Sequence, residues 1–263
     1  MNWIEALILG IVQGLTEFLP VSSSGHLEIG KHLLGVEATD NLTFTVVVHG
    51  ATVLSTIFVF RKDIAQLIAG LFAFKWNEET QYLFKIAASM IPIAIVGVFF
   101  KDQVEALFGT DNIMLLVGCM LLITATLLAF TFYARAKDKD VSFKDAFIIG
   151  IAQTIAVLPG ISRSGSTIAT GLLLGNKREA VARFSFLMVL IPILGENVLS
   201  LLKNDYSSST SIGILPVVVG FTGAFVSGLL ACNAMIQLVK RGKLIYFALY
   251  CAVVGVIAIA FSL

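Results

Sequence analysis

Apolar runs of two lengths alternate along the chain. Six are long enough to cross a bilayer, which takes about 20 residues: they fall at about 42–60, 81–100, 112–133, 181–202, 212–238 and 244–262. Two others are too short, and each is broken by a Pro and a Ser/Gly loop. The first reads as a half-helix over 3–19, a loop over 20–25 and a second short helix over 26–34 that Gly35 stops. The second reads as a half-helix over 143–158, a loop over 159–165 and a return helix over 166–174, with Gly175 as the stop. A hairpin that dips into the membrane and returns to the same face fits these lengths. Non-helical backbone at that depth is tolerated only inside protein or beside a wet cavity. Residues 62–76 form an amphipathic stretch (Ile64, Leu67, Ile68, Leu71, Phe72) ending in Trp76, expected to lie along the interface. Pro92 sits mid-span and predicts a kink, and Pro192 occupies a later span in the same way.

The two broken runs are copies of one another. Residues 8–25 read ILGIVQGLTEFLPVSSSG and residues 148–165 read IIGIAQTIAVLPGISRSG, so a constant shift of 140 (148 − 8) superimposes them. Gly10 falls on Gly150, Gln13 on Gln153, Ser22 on Ser162, Ser24 on Ser164 and Gly25 on Gly165. The pattern is a hairpin plus three spans, twice. It predicts an all-α integral membrane protein of one domain, 1–263, with repeat one at about 1–133 and repeat two at about 141–263. Three spans carry the chain to the opposite face, so the repeats are expected to be inverted, with their loops meeting near the midplane.

Composition agrees. Hydrophobic residues make up 57% and charged residues 13%, against about 25% charged in a typical soluble domain. No soluble domain is visible. The net charge of +1 is scattered over short loops and gives no reason to expect a nucleic-acid partner. Cys119, Cys232 and Cys251 lie inside apolar runs and read as small core residues, not as disulfide or metal partners. The first residues lack a basic leader region, and Glu5 and Glu17 interrupt the apolar run, so this stretch is expected to belong to the mature fold.

Basic residues set the orientation. With inverted repeats, one face collects fourteen of the 18 Lys and Arg residues, chiefly in 61–80, 134–147, 176–183 and 239–243, while the other receives only Lys31, Lys101 and Lys203. The first face is then cytoplasmic, and the mouth of the first hairpin opens outside. The remaining cation, Arg163, lies at the tip of the second hairpin.

A cation at membrane depth calls for a partner or an anionic ligand. Around Arg163 stand Ser162, Ser164, Gly165, Ser166 and Thr167, opening a helix. Hydroxyls, free N–H groups, a helix N-terminus and a guanidinium form an anion cradle. Ser22, Ser23, Ser24 and Gly25 offer a similar set in the first hairpin. That hairpin adds what the second lacks. Glu17, which falls on Val157, shares a helix face with Gln13, and the pair could hold a hard cation such as Mg²⁺ or Ca²⁺. His26 could act as general acid, general base or nucleophile. Each feature also has an ordinary reading, as a helix cap, a solvated acid, an interfacial imidazole or a clamp on carbonyls. The repeat weighs against all of these together, because both loops should converge on one spot. His32, His49, Glu28 and Glu196 are weaker candidates, with His49 and Glu196 inside spans.

Three segments carry a resemblance: Gln13-Gly-Leu-Thr-Glu17, Pro20-Val-Ser-Ser-Ser-Gly-His26 and Pro159-Gly-Ile-Ser-Arg-Ser-Gly-Ser-Thr167. They resemble the signatures of the bacterial undecaprenyl-pyrophosphate phosphatase (BacA/UppP) family, and the likeness in length and span pattern extends over the whole chain. The resemblance implies a multi-pass enzyme of the bacterial plasma membrane. It would remove the terminal phosphate from a polyprenyl diphosphate, so recycling the cell-wall lipid carrier and conferring resistance to bacitracin, which competes for that substrate. By motif, Glu17 and position 13 are the acidic and metal pair. Ser22, Ser23, Ser24 and His26 are the first catalytic loop, and Ser162, Arg163, Ser164 and Thr167 the second. Gln13 departs from members with Glu there. It carries no charge, which moves weight onto Glu17.

In the mechanism expected, Arg163, loop N–H groups and a cation near Glu17 hold the diphosphate. The nucleophile is Ser23, His26 or a metal-bound water, with Ser23 favoured and His26 or Glu17 handling its proton. Broken helices in inverted repeats also suit a transporter or flippase of an anionic lipid or other anion. Glu17 and His26, present in one repeat only, speak for a hydrolase. The glycine-rich stretch 220–228 suits helix packing within one subunit or across a homodimer.

Overall fold

The computed structural model describes residues 1–35, 41–110, 112–134, 139–195 and 213–262, and their regular elements are helices. Each broken run begins on a capping box. In α1 (Trp3–Phe18) the Asn2 side chain accepts from the N–H of Glu5 at 3.0 Å, and the Glu5 carboxylate accepts from the N–H of Asn2 at 2.8 Å. In the later run, whose first arm is Phe143–Ile155, Ser142 and Asp145 make the same exchange at 3.2 and 3.1 Å. The shift of 140 that relates the motifs therefore also relates the caps (2 + 140 = 142; 5 + 140 = 145). Both devices satisfy N–H groups that a helix start leaves open.

With its 16 residues α1 is about 24 Å long, short of the ~30 Å hydrocarbon core. It packs on α2 (Ser23–Leu34) as a helical hairpin. Gly35 ends α2 in the left-handed region at φ 64°, the stop read from the sequence. Then follow α3 (Asn41–Val59), α4 (Arg61–Phe72), α5 (Glu78–Phe99), α6 (Lys101–Phe108) and α7 (Ile113–Phe130). The second hairpin is α8 (Phe143–Ile155) and α9 (Arg163–Leu173), closed by Gly175 at φ 84°. The chain continues as α10 (Arg178–Met188), α11 (Ile214–Lys240) and α12 (Ile245–Ser262).

Among the described residues four helical stretches are long and apolar enough to cross a membrane: α5, α7 with its short continuation to Tyr133, α11 and α12. Their outward faces are apolar, as at Val98, Phe99, Leu230 and Leu249, which suits lipid. This is an all-α, multi-pass membrane protein. The expected span at 42–60 and the interfacial stretch after it appear as α3 and α4, which meet at 75°. Helix α5 runs through Pro92. The expected span at 181–202 lies partly outside the described residues, as does Glu196. Helix α6 has no counterpart among the expected elements.

Both loop boundaries need correction. Ser23, Ser24 and Gly25 are the first turn of α2, and Arg163, Ser164 and Gly165 the first turn of α9; they are helical residues, not loop. The cause is the serine before each. Ser22 and Ser162 act as N-caps, so the helices start three residues earlier than the apolar pattern suggested.

Each first arm is seated against a crossing helix by a glycine. A Cβ at Gly10 would overlap the Gly220 carbonyl of α11, and one at Gly150 the Ser89 carbonyl of α5. The 220–228 glycines thus pack α11 onto α1 within the subunit: Gly14 faces Ser227 and Gly228. Helices α7 and α12 cross just as closely at Gly118 and Gly255. They form a common wall for the two loops. Thr124 of α7 accepts from the Ser162 N–H at 3.1 Å, and Cys251 of α12 donates to the Pro20 carbonyl at 3.5 Å. Cys232 and Cys251 are buried, as small core residues.

Candidate active site

The two loops meet. Ser164 Oγ donates to the Leu19 carbonyl at 3.2 Å. A Cβ at Gly25 would lie 3.3 Å from the Gly160 Cα, and one at Gly165 would lie 3.2 Å from the Pro20 Cβ. Larger residues at either glycine would hold the loops apart. The caps match: Ser22 Oγ accepts from the Gly25 N–H at 3.2 Å, and Ser162 Oγ from the Gly165 N–H at 3.0 Å. Ser22 and Ser24 bring their hydroxyl oxygens to 3.3 Å, and Ser162 and Ser164 theirs to 3.4 Å. The backbones differ, since Ser22 sits at φ 70°, which an L-residue rarely adopts, whereas Ser162 sits at −75°. Two helix N-termini therefore start at one place, with their N–H groups and positive dipole ends.

Glu17 lies in the last turn of α1, its side chain only 8% exposed. Its Oε2 accepts from Ser23 Oγ at 2.7 Å and from Gln13 Nε2 at 2.9 Å. Arg163 brings Nη2 to 3.6 Å from Oε1, and His49 brings Nε2 to 3.8 Å from Oε2. A buried carboxylate is tolerable when paired and hydrogen-bonded in this way. The arrangement joins both hairpins and α3. It also leaves Ser23 Oγ with an acceptor for its proton.

His26 is placed otherwise. Its Nδ1 lies 2.8 Å from the Ser22 carbonyl, which can only accept, so that nitrogen carries the proton. Its Nε2 lies 2.8 Å from Tyr250 Oη, and the two rings stack at 5.6 Å. Both ring nitrogens thus face partners other than Ser23 and Glu17. Glu28 pairs with Lys31 at 2.9 Å, away from the carboxylate, and His32 is exposed.

Gln13 is fully buried, and its Oε1 has no hydrogen-bond partner among the described residues. A buried amide oxygen left open costs about 1–3 kcal/mol. Together with Glu17 it gives a small set of hard oxygen donors. Among the described residues no group of three His, Cys, Asp or Glu side chains converges on a metal position. The donor set therefore fits a cation held mainly by water and phosphate oxygens, as Mg²⁺ commonly is, and does not fit a cation caged by protein alone.

A cleft opens beside these groups. Glu17, Arg163, Ser164 and Thr167 form part of its polar lining; Phe18, Val53, Phe186, Val189, Leu190 and Ile193 supply an apolar wall. Thr52 and Thr56 of α3 and Ser185 of α10 also face it and were not singled out from the sequence. The Thr52/Thr56 spacing of one turn inside an apolar run was the available signal. Nothing in the sequence pointed to Tyr250 or Thr124, which reach the loops only through folding.

The family model described as bacitracin resistance protein BacA matches residues 6–257. The chain belongs to the BacA family. Curated relatives carry the name undecaprenyl-diphosphatase. One from Bacteroides fragilis is 60% identical over 265 residues, covering 100% of this chain and 99% of the relative. One from Parabacteroides distasonis is 60% identical over 266 residues with the same coverage. One from Salinibacter ruber is 41% identical over 268 residues, covering 97% of each. The BacA match includes every residue that lines the cleft.

Proposed function

We infer that the chain hydrolyses undecaprenyl pyrophosphate to undecaprenyl phosphate and inorganic phosphate. Membership of the BacA family and full-length relatives named for that activity support this reading. The observation that carries it to particular residues is the Ser23–Glu17–Arg163 cluster, where a hydroxyl, its proton acceptor and a guanidinium meet beside a cleft with an apolar wall.

In the proposed mechanism the diphosphate enters the cleft from the bilayer and its tail follows the apolar wall. Arg163, the helix N-termini and the hydroxyls of Ser22, Ser24 and Ser162 hold its oxygens, and Ser164 and Thr167 join them by turning their hydroxyls from the Leu19 and Arg163 carbonyls. Ser23 Oγ attacks the terminal phosphorus in line as Glu17 takes its proton. The bridging P–O bond breaks, and undecaprenyl phosphate leaves. Water then attacks the phosphoserine and releases inorganic phosphate. His26, held by the Ser22 carbonyl and Tyr250, orients the start of α2 in this scheme. Donors fixed where charge develops are the main source of rate in such transfers. A divalent cation, Mg²⁺ or Ca²⁺, would be held by Glu17 and Gln13, and when bound it would neutralise phosphate charge.

The two hairpins are proposed to enter from opposite faces as inverted repeats. The basic residues then put the mouth of the first hairpin, and the site, on the outer face of the bacterial plasma membrane. Bacitracin would compete there for the same lipid diphosphate. The 220–228 glycines pack on α1 within the subunit, so a homodimer is proposed to use another face. The transporter alternative is not favoured, since the relatives are named for a phosphatase.

The test is phosphate release from undecaprenyl pyrophosphate by the purified protein in detergent. Release is expected, with a phosphoserine at Ser23 trapped in single turnovers. No release would overturn the activity; release without a phosphoenzyme would replace Ser23 by direct attack of water.

A further inference from the structure

The cleft hydroxyls are not equivalent. Thr52 donates to the His49 carbonyl at 2.8 Å, Thr56 to the Thr52 carbonyl at 3.0 Å, Ser164 to the Leu19 carbonyl at 3.2 Å and Thr167 to the Arg163 carbonyl at 3.0 Å. Ser185 differs. Its residue is 3% exposed, its Oγ is buried, and that oxygen has no hydrogen-bond partner among the described residues. A helical serine normally returns its proton to a carbonyl one turn back. This one keeps its donor for something else, and it lines the same cleft as Glu17 and Arg163.

Its place in the cleft indicates what that is. Val189 and Ile193 follow Ser185 at one-turn intervals and also line the cleft. Ser185 is thus the polar head of an otherwise apolar stripe, at the junction between the charged end and the apolar wall. A lipid diphosphate laid along the cleft has its terminal phosphate at the Ser23–Arg163 end and its tail on the stripe. The group at the junction is the phosphate esterified to the lipid. Resting on the functional reading above, we propose that Ser185 Oγ donates a hydrogen bond to that lipid-linked phosphate and so serves as a positioning and specificity contact contributed by α10.

This contact persists in the product, because the lipid keeps that phosphate. It therefore belongs to uniform binding, which changes KM and not kcat. The experiment compares wild type, S185A and S185T as full chains in detergent. It measures KM and kcat for undecaprenyl pyrophosphate, inhibition by undecaprenyl phosphate and by inorganic phosphate, and the thermal midpoint. Losing a hydrogen bond to a charged group is expected to raise KM about tenfold or more in S185A. Inhibition by undecaprenyl phosphate should weaken by a similar factor, with kcat, inhibition by inorganic phosphate and the midpoint nearly unchanged. S185T, which keeps a hydroxyl, should retain the wild-type KM. An unchanged KM in S185A, a fall in kcat alone, or equal damage in S185T would overturn the assignment. Absence of phosphate release by the wild type would instead overturn the functional reading; direct binding of undecaprenyl phosphate to wild type and S185A would still test the contact.

Discussion

Arg163 Nη2 stands 3.6 Å from Glu17 Oε1, and this pair ties the tip of the second hairpin to the end of the first helix. Neither hairpin makes the site alone. Arg163 comes from the first turn of α9, where its charge adds to the helix dipole, and Glu17 from the last turn of α1, where it meets Ser23. At 3.6 Å the guanidinium is beyond a tight hydrogen bond, so its donors remain open to phosphate oxygens.

Arg163→Ala is expected to lose about 10²–10³ in kcat, the usual effect of deleting one donor to a developing oxyanion. Arg163→Lys should also be impaired, because a point charge does not replace a planar fork. Steady-state phosphate release checks both, on protein shown by its yield in the membrane fraction to insert normally. Near-normal turnover in the two variants would remove Arg163 from the mechanism.

In the proposed mechanism the proton of Ser23 goes to Glu17, whose Oε2 accepts from it at 2.7 Å. Glu17→Gln and Ser23→Ala should each lose about 10²–10³ or more, and the double variant little beyond the worse single, as for residues acting as a unit. His26→Asn keeps a donor toward the Ser22 carbonyl and should lose much less. A loss in His26→Asn equal to that in Glu17→Gln would return the proton to the imidazole.

The two hairpins and their approach were legible in the sequence because a shift of 140 maps one hairpin onto the other, down to Gly10 and Gly150, whereas α6 was not. The capping boxes also leave a signal, the three-residue spacing of Asn2/Glu5 and Ser142/Asp145, but it lies outside the repeated segments 8–25 and 148–165. The loop ends were misplaced because apolar periodicity does not register a polar first turn such as Ser23-Ser24-Gly25. The partners of the site were hidden for another reason. Ser185 and Tyr250 are polar residues within helices, where such a residue has several ordinary uses, and only the fold brings them to the loops; His49, a weaker candidate in the sequence, reaches Glu17 in the same way.

Gln13 gives a test of the cation. Gln13→Glu would place a second carboxylate one turn before Glu17, and it should lower the Mg²⁺ or Ca²⁺ concentration needed for half-maximal rate. Gln13→Ala should raise it. Chelation should abolish wild-type turnover, with recovery on adding either ion, and direct cation binding should follow the same order. Full activity in chelator would exclude a cation at Glu17 and Gln13.

The glycine seats make a prediction about distance as well as stability. Gly97 has no other group within 4 Å of its would-be Cβ, whereas Gly10 and Gly150 would press a methyl into the backbone of a crossing helix. Gly97→Ala should be neutral or slightly stabilising, since Ala is the better helix former by about 1 kcal/mol. Gly10→Ala and Gly150→Ala should each cost roughly 1–3 kcal/mol through overpacking, read as a lower thermal midpoint in detergent. The backbone carbonyls they strike cannot rotate aside, so the first arm itself must shift. Glu17 rides two turns beyond Gly10 on α1, and Arg163 follows the end of α8. A displacement of about 1 Å at a reacting centre can cost 10²-fold in rate. Turnover per folded molecule should therefore fall in both seat variants and stay normal in Gly97→Ala. If the seat variants lose stability but keep full turnover, the spacing of Glu17 and Arg163 is set by the loop contacts at Gly25 and Gly165, and not by the helices that carry them.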